Sequence, residues 1–441
     1  MPAKLNNWSA PPPGRMLVGA LVLLFLGLAM AVQAEAAAPT PYGEYFVRVG
    51  AQWPDAGIVA GNGKPVSEVQ PRDRLAYERQ VRLLEEEGGP YAGALAEPLA
   101  DLARQYQVNG DYAEAQEIYE RAIHVLRINE GLYSESQVPL LNALFDIYRL
   151  SGDVSTLDGR YDYYFRLYGN GEPPFTTLRI GASLAYLRWQ REALRLQLDS
   201  RDTERLLALY SLNERILAGV AAVQPLDLPS FTDLTLGQLR NLYILRDRYA
   251  PIVETTGVGS REAFGGGTWD QQDAALARLE IIQRSAVPRG QALLRELIER
   301  IPVDQWQLLA QAYLELADWN QWNDRRTEAQ SAYRQVASIL QAAGQEATLQ
   351  QWLGQVVELP ANGAFWQPRP AGAEPIVIQA RYDVSESGRA ANIVTSALIG
   401  ENEAKAWRVR RGLAQTRFRP RMVDGEPEAV ADLSRDYEVL K

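Results

Sequence analysis

Apolar residues between Pro71 and Leu359 recur at intervals of three and four positions, in segments separated by Gly, Asp or Pro. This spacing places the apolar side chains on one face of an α-helix, so the pattern predicts a succession of amphipathic helices. Five helices without any further signature are predicted at residues 175–199, 201–222, 233–250, 269–285 and 288–301. We therefore expect residues 71–359 to be mainly α.

Two of the predicted helix pairs repeat each other in sequence. Five positions of the first pair recur 42 residues later with similar side chains. They are Leu102, Ala103, Tyr106, Gly110 and Asp111, matched by Leu144, Phe145, Tyr148, Gly152 and Asp153. A fixed period of this kind is typical of a solenoid of stacked helix pairs.

The first pair also alternates large and small residues. Small residues at Ala103, Ala115 and Ala122 allow the two helices to approach, while Tyr106 and Tyr119 fill the space between repeats. In this pattern the segment resembles the tetratricopeptide repeat family, which implies an α–α superhelix that binds protein segments. The period exceeds that family's usual length of about 34 residues.

A third match to the same pattern begins at Trp306. It comprises Leu309, Ala310 and Tyr313 in the first helix and Ala329 and Tyr333 in the second. The polar stretch from Ala317 to Arg326 is predicted to be the connecting loop, about seven residues longer than the pattern expects.

Beyond Leu359 the period of the pattern changes. Six Pro and Gly residues predict a linker over residues 360–375. Apolar and polar positions then alternate, which predicts strands. The predicted order is a strand at 376–384, a turn at 385–388, a strand at 390–397, a helix at 401–414, a tight hairpin turn at Asp424-Gly425 and a last strand with Leu433, Tyr437 and Val439 on one side.

The motifs of this segment are Tyr382-Asp383-Val384 before Gly388, Thr416-Arg417-Phe418-Arg419-Pro420 after the helix, and Asp424-Gly425-Glu426-Pro427. In them, residues 376–441 resemble the C-terminal domain of the TonB family. The resemblance implies a small α+β domain whose edge strand pairs with a short peptide of an outer-membrane receptor. Energy transduction is not expected, because the apolar N-terminal run lacks the histidine of such transducers and helices replace their proline-rich spacer.

The N-terminus combines Lys4 and Arg15 with an uncharged run from Met16 to Ala34. This predicts a signal peptide over residues 1–34, followed by an irregular segment at 35–70. The alternative is an uncleaved membrane anchor, since the run is close to the length that spans a bilayer. We expect a periplasmic protein, or alternatively a membrane-anchored one that faces the periplasm.

Composition narrows the possible chemistry. The chain has 45 basic and 55 acidic residues, no Cys and one His, His124. The net charge of −10 disfavours a nucleic-acid partner held by a general positive field. Thiolate clusters, Cys nucleophiles, disulfides and zinc sites with several imidazoles are excluded, so no cofactor or metal is expected. His124 is predicted to be a surface or partly buried helix residue.

No catalytic constellation emerges from the remaining motifs. The glycine-rich stretch at 254–268 has no following Gly-Lys-Ser/Thr and no preceding strand, so it predicts a surface loop rather than a phosphate site. The pairs Glu135-Ser136 and Glu386-Ser387 lack the flanking pattern of a sugar-binding cleft. We therefore expect no enzyme, with a cell-wall enzyme as a distant alternative.

The repeat resemblance implies that the first helix of each pair lines a concave groove. The positions carried over are Glu97, Arg104, Gln107, Asn142, Asp146, Arg149, Asp304 and Gln311. Among them, Arg104, Asn142 and Arg149 could together bind a peptide carboxylate. The alternative is that these side chains are solvent-facing without a specific role.

A basic run marks the C-terminal segment, at Arg408, Arg410, Arg411, Arg417, Arg419 and Arg421. One interpretation is a mixed surface in which some guanidinium groups pair with the acidic helical array. The other is a contact for an anionic partner, such as a carboxylate terminus or a lipid head group. The residues predicted for C-terminal docking are Arg417, Arg419, Arg421, Leu433, Arg435 and Tyr437.

Together these features predict an exported, non-catalytic scaffold that binds protein or peptide partners of the cell envelope through a helical groove and a C-terminal module. The alternative is an anchored, TonB-like adaptor that pairs with an outer-membrane receptor. Membrane association through the N-terminal segment is possible in either case, and the oligomeric state is left open.

Overall fold

The computed structural model describes residues 46–48, 74–198, 202–248, 271–365, 376–397, 403–423 and 425–439. Several predictions concern residues outside these ranges. They are the signal peptide or anchor at 1–34, the glycine-rich loop at 254–268 and most of the segments 35–70 and 360–375.

The described chain is mostly helical, with a small strand-containing region at its C-terminal end, as the apolar pattern predicts. The α-helices are α1 (Arg74–Gly88), α2 (Ala96–Asn109), α3 (Tyr112–Glu130), α4 (Val138–Ser151), α5 (Val154–Leu167), α6 (Thr177–Arg195), α7 (Asp202–Ala222), α8 (Leu228–Arg248), α9 (Gln271–Arg284), α10 (Ala286–Arg300), α11 (Trp306–Trp322), α12 (Arg326–Ala342), α13 (Glu346–Leu353) and α14 (Glu403–Gln415). Short 3₁₀ turns at Gly93–Leu95 and Glu135–Gln137 precede α2 and α4. The five helices predicted without a signature correspond to α6–α10.

The 42-residue period is visible in the structure as well as in the sequence. Helices α2 and α4 both end at a glycine in the left-handed region, Gly110 with φ 85° and Gly152 with φ 76°. Glycine adopts this conformation without the steric cost of a Cβ atom, so both helices stop at the same repeat position. A two-residue connection then folds the next helix back against its predecessor.

Hydrogen bonds between neighbouring pairs follow the same period. The Tyr106 hydroxyl on α2 donates to Glu78 on α1 at 3.3 Å, and the Tyr148 hydroxyl on α4 donates to Glu120 on α3 at 2.6 Å. Both tyrosines and both carboxylates are 42 positions apart in the sequence. Each repeat is thus joined to the helix before it by an equivalent tyrosine–carboxylate contact.

The helices bury two apolar clusters. One fills α1–α6 and contains Leu102, Tyr119 and Tyr148; the other extends from α5 to α13 and contains Tyr243 and Trp319. Burial of such side chains is the main favourable contribution to folding in a chain without disulfides.

The strands are β1 (Phe46–Arg48), β2 (Val357–Leu359), β3 (Ile376–Val384), β4 (Ala390–Ala397), β5 (Arg417–Arg419), β6 (Arg421–Val423), β7 (Glu426–Glu428) and β8 (Val430–Val439). A four-stranded sheet has the order β1-β8-β3-β4, with α14 packed on β3 and β4. Two-stranded sheets join β2 to β5 and β6 to β7. Val423 pairs with Glu426 on either side of the turn predicted at 424–425, of which Asp424 lies outside the described residues.

Two local predictions are wrong. The segment from Ala317 to Arg326 is not a long loop, because α11 continues to Trp322 and only three residues separate it from α12. Residues 357–359, expected within the helical array, form β2 and pair with β5 of the C-terminal region. Both differences arise where the end of the array packs against the C-terminal strands, a contact between residues far apart in sequence.

Candidate functional site

Four of the predicted groove residues are exposed on α2 and α4, the first helices of the two matched pairs. They are Glu97, Arg104, Asn142 and Asp146, and together we call them the groove face. Arg104 Nη1 lies 2.7 Å from the carboxylate of Asp101, three residues earlier on α2, and the two side chains are 44% and 30% exposed. The face therefore presents an amide and both signs of charge, a combination that suits hydrogen bonding to a peptide main chain.

A buried hydroxyl lies beneath this face. Tyr119 on α3 is 2% exposed, and its hydroxyl donates to Oε1 of Gln107 on α2 at 3.0 Å. Burial raises the pKa of Tyr119 to about 12, while Arg104 lowers it and the carboxylates of Asp101 and Asp146 raise it. These charges act on one hydroxyl, so the fold brings Arg104, Gln107 and Asp146 into one neighbourhood although they belong to different repeats.

The carboxyl group of Asp146 is exposed but lies close to protein atoms. Desolvation by these atoms raises its pKa above the ordinary value, and Arg149 one turn further along α4 lowers it. Desolvation thus favours the protonated form of this carboxyl group relative to a fully hydrated surface acid.

Arg149 is held inside the protein and does not belong to this face. Its guanidinium group forms a two-pronged ion pair with the buried Glu192 on α6, with Nη2–Oε2 at 2.9 Å. It also lies over the Trp189 ring, 5.3 Å from the centroid. Because both terminal nitrogens of Arg149 donate to Glu192, Arg149 is not available to bind a peptide carboxylate together with Arg104 and Asn142, the role that the sequence predicted for it.

The two remaining groove positions lie on a different part of the array. Asp304 precedes α11 and Gln311 is on α11; both are exposed. Helix α11 packs within the second apolar cluster, whereas α2 and α4 pack within the first.

Most residues predicted for C-terminal docking are engaged within the chain. Buried Arg419 on β5 donates through Nε and Nη2 to both carboxylate oxygens of Asp318 on α11, at 2.8 and 2.5 Å. The Tyr333 hydroxyl donates to the same carboxylate at 2.8 Å. A signal for this contact was present in the polar residues Asp318 and Gln321 at the end of an apolar helix, but the pattern favoured a loop.

A second internal contact involves Glu358 on β2, which is 8% exposed. The Tyr437 hydroxyl donates to Glu358 Oε1 at 2.6 Å, and Arg435 approaches the same oxygen at 3.4 Å.

Arg417 pairs with Asp324 at 3.4 Å, and Arg421 pairs with Glu428 across the β6–β7 hairpin at 2.8 Å. The interpretation that some guanidinium groups of the basic run pair with the acidic array is therefore correct for Arg417 and Arg419. Leu433 packs, partly buried, against the core of the sheet.

We call the contact of α11–α13 and β2 with β5–β8 the junction. Beneath it, Asn362 donates to Glu315 on α11 at 2.9 Å, and Arg240 donates through Nε to the Asn362 carbonyl oxygen at 2.9 Å. Desolvation and the nearby Asp318 carboxylate raise the pKa of Glu315 to about 7. Among the described junction residues whose pKa departs from the ordinary value, Glu315 titrates nearest to neutral pH.

A cavity of about 240 Å³ opens at the edge of the junction. Tyr333, Pro420, Met422 and Pro427 supply apolar walls, and Arg326 and Glu386 supply charges of opposite sign. A cavity of this size is smaller than the pockets of about 300 Å³ or more that hold drug-sized ligands.

His124 is exposed on α3, where its ring contacts Tyr91 edge to face at 5.5 Å between centroids. The described part of the chain contains no group of three or more His, Asp or Glu side chains placed to hold a metal ion. None of the described helices is both long and apolar enough to cross a bilayer.

Neither a comparison with protein-family models nor a search of the curated proteins returns a match to this chain.

Proposed function

We propose that this protein is an exported, non-catalytic adaptor that binds a protein segment along the groove face. The observation that carries the proposal is that Arg104 on α2 and Asp146 on α4 both act on the buried Tyr119 hydroxyl, with Asn142 exposed one turn before Asp146. Exposed groups of both charges on packed helices favour recognition of an extended or helical peptide, since packed helices lose little conformational entropy on binding.

The finer fold assignments form part of this proposal. Equivalent glycine ends at Gly110 and Gly152 and equivalent tyrosine–carboxylate contacts support a tetratricopeptide-like superhelix for the helical array. A sheet covered by one helix, with β6 and β7 paired on either side of residues 424–425, supports a TonB C-terminal-like module. The uncharged run from Met16 to Ala34 supports export to the periplasm.

The test is the binding of the partner to a groove-face variant and to a matched control. Asn142→Ala/Asp146→Asn removes the amide of Asn142 and the charge of Asp146, the two groove-face groups on α4, so partner recovery from intact cells is expected to fall by about tenfold or more. The control is Glu117→Gln, at an exposed position of α3 outside the groove face. Equal loss from both variants, or from neither, would contradict the proposal.

Deleting the C-terminal module would not show whether the groove face or that module binds the partner. Without Arg419, the Asp318 carboxylate would stay at the end of α11 with no cation beside it. A charge left unpaired in a buried position is strongly destabilising, so a truncated chain would lose partners for reasons of stability. Point substitutions on the groove face avoid this problem.

A second candidate function is the anchored adaptor that pairs through a strand. Its support is β8, which among the described strands pairs on one edge with β3 and on the other only with β1, at Tyr437–Val439. An open strand edge can accept an extended peptide by main-chain hydrogen bonds. A mature N-terminus at Glu35 in the soluble fraction would argue against this function, because it requires the N-terminal run to remain as an anchor.

A further inference from the structure

Helix α14 has one face on the sheet and one face open to solvent. Val409 and Leu413 are buried against the strands, with Ala406 partly buried beside them. On the opposite side Trp407 is 59% exposed. An indole ring this open to water is uncommon for a residue type that is usually well buried.

Cationic side chains surround this tryptophan. Arg411 is four residues after Trp407, one turn along the helix, and its guanidinium carbon lies 5.5 Å from the centroid of the indole ring. Arg408 and Arg410 are also exposed and flank the pair at about 100° and −60° around the helix. Ala404, Gly412 and Ala414 are small, so the indole ring projects beyond its neighbours. We call Trp407, Arg408, Arg410 and Arg411 the basic face.

The charge of this face is opposite to that of the whole chain. Helix α14 and its neighbour β4 together contain four cations, Lys405, Arg408, Arg410 and Arg411, and one acid, Glu403, whereas the chain carries −10. No described carboxylate lies within ion-pair distance of Arg410 or Arg411. The basic run of the sequence thus includes Arg417, Arg419 and Arg421, which are ion-paired within the chain, and Arg410 and Arg411, which are exposed on α14.

We propose that the basic face binds the surface of an anionic phospholipid bilayer. Guanidinium groups bind lipid phosphates through paired N–H donors, and an indole ring is most stable at the boundary between head groups and hydrocarbon. Both preferences are met by Arg410, Arg411 and Trp407 on one side of one helix. This association is peripheral and is separate from any anchoring by the N-terminal run.

An acidic protein partner fits the same face less well. A specific protein interface buries about 800 Å² on each partner, usually around a packed apolar centre. The basic face consists of one short helix with a single large apolar side chain, and β4 beside it adds no charged residue. A bilayer surface needs no such shape match and gains affinity from each cation.

The test uses the chain from Glu35 to Lys441, which lacks the apolar N-terminal run and keeps every described residue. It is mixed with vesicles of neutral phosphatidylcholine, or with vesicles containing roughly one third phosphatidylglycerol, and bound protein is separated by flotation. Binding to the anionic vesicles only, with a decrease at high salt, is expected because the attraction is electrostatic.

Two variants then locate the binding surface. Arg410→Gln/Arg411→Gln is expected to lower the partition coefficient by about five-fold for each cation removed, and Trp407→Ala to weaken binding with little change in its salt dependence. Matched controls are Arg278→Gln/Arg295→Gln, exposed cations of α9 and α10, and Tyr133→Ala, an exposed aromatic residue. Circular dichroism confirms that each variant is folded.

Three results would overturn the proposal. They are absence of binding to anionic vesicles, equal loss in the Arg278/Arg295 control, and binding unchanged in the Arg410/Arg411 variant. If the chain does not bind anionic vesicles, and the Arg410→Gln/Arg411→Gln variant loses an acidic protein partner in cells, the basic face binds that protein instead.

Discussion

The groove face and the junction use the same residue types in opposite ways. On the groove face, Arg104 and Asp101 form an ion pair whose side chains are 44% and 30% exposed. At the junction, Arg419 and Asp318 form one whose side chains are 6% and 7% exposed. Water competes with the first pair and is excluded from the second, so the groove face remains available to a partner while the junction fixes the C-terminal module on the array.

The largest expected effect on stability comes from removing the cation of the junction. Arg419→Met leaves the Asp318 carboxylate buried without its partner, so we expect the free energy of unfolding to fall by about 3–5 kcal/mol. Arg104→Met, the matched change on the groove face, is expected to cost less than about 1 kcal/mol. Urea unfolding followed by circular dichroism measures both.

A double variant separates the charge from the packing. Arg419→Met/Asp318→Leu removes both buried charges, so it should recover most of the lost stability. Equal destabilisation by Arg419→Met and Arg104→Met would show that the junction pair is no more buried in solution than the groove pair.

The next effect concerns two glycines with positive φ. In Gly388→Ala at the junction, the new Cβ atom would lie 2.1 Å from the Phe418 carbonyl oxygen, in a residue with φ 70°. Gly110→Ala at the end of α2 would have the same kind of backbone strain, at φ 85°, with open space around its Cβ. We expect a loss of at least about 2 kcal/mol for Gly388→Ala and about 1 kcal/mol for Gly110→Ala, measured by thermal unfolding. Similar losses would mean that the turn moves freely away from β5.

These comparisons also show which parts of the structure were predictable. The repeats, the glycine ends of α2 and α4 and the strands β3 and β4 depend on neighbours in sequence or on a local period, so the pattern of Leu102, Tyr106 and Gly110 was enough to predict the first pair. The last turns of α11 were mispredicted because Asp318, Asn320 and Gln321 are polar, and polar runs usually indicate loops. Asp318 and Gln321 are buried against residues about a hundred positions later, on β5, and Asn320 accepts a hydrogen bond from Gln291 on α10. No local pattern carries that information.

The candidate site divides in the same way. Glu97, Arg104, Asn142 and Asp146 lie on exposed helix surfaces, because the spacing of apolar residues in α2 and α4 decides which side faces out. Their role in binding a partner stays a prediction. Arg149, Arg419 and Tyr437 were expected to face a partner, yet they contact Glu192, Asp318 and Glu358. Burial of a charged residue depends on a counter-charge elsewhere in the fold, which a linear sequence does not reveal.

A smaller expected effect is a dependence of the free energy of unfolding on pH, caused by Glu315 at the junction. Because the pKa of Glu315 is about 7 in the folded chain and about 4.5 when unfolded, the folded state retains its proton over a range in which the unfolded state has lost it. The contribution of this group to stability is therefore full below about pH 4.5, decreases as the pH rises to about 7, and is constant above that.

Glu315→Gln removes this titration and keeps an acceptor for Asn362. The difference in urea midpoint between pH 5.5 and pH 8, roughly the two sides of the transition, should be smaller in the variant than in the wild type. Glu117→Gln, at an exposed position of α3, serves as the control and should behave like the wild type. An unchanged pH dependence in Glu315→Gln would place the titrating group elsewhere.

The central claim is that the groove face, and not the junction, contacts a partner in the cell. The most direct measurement is in-cell photocrosslinking with a photoreactive amino acid at Asn142 and, separately, at Glu117, both exposed positions of neighbouring helices. The proposed function predicts one dominant crosslinked species from Asn142, reduced by Asp146→Asn, and none from Glu117. The same species from both positions, or none from Asn142, would contradict it.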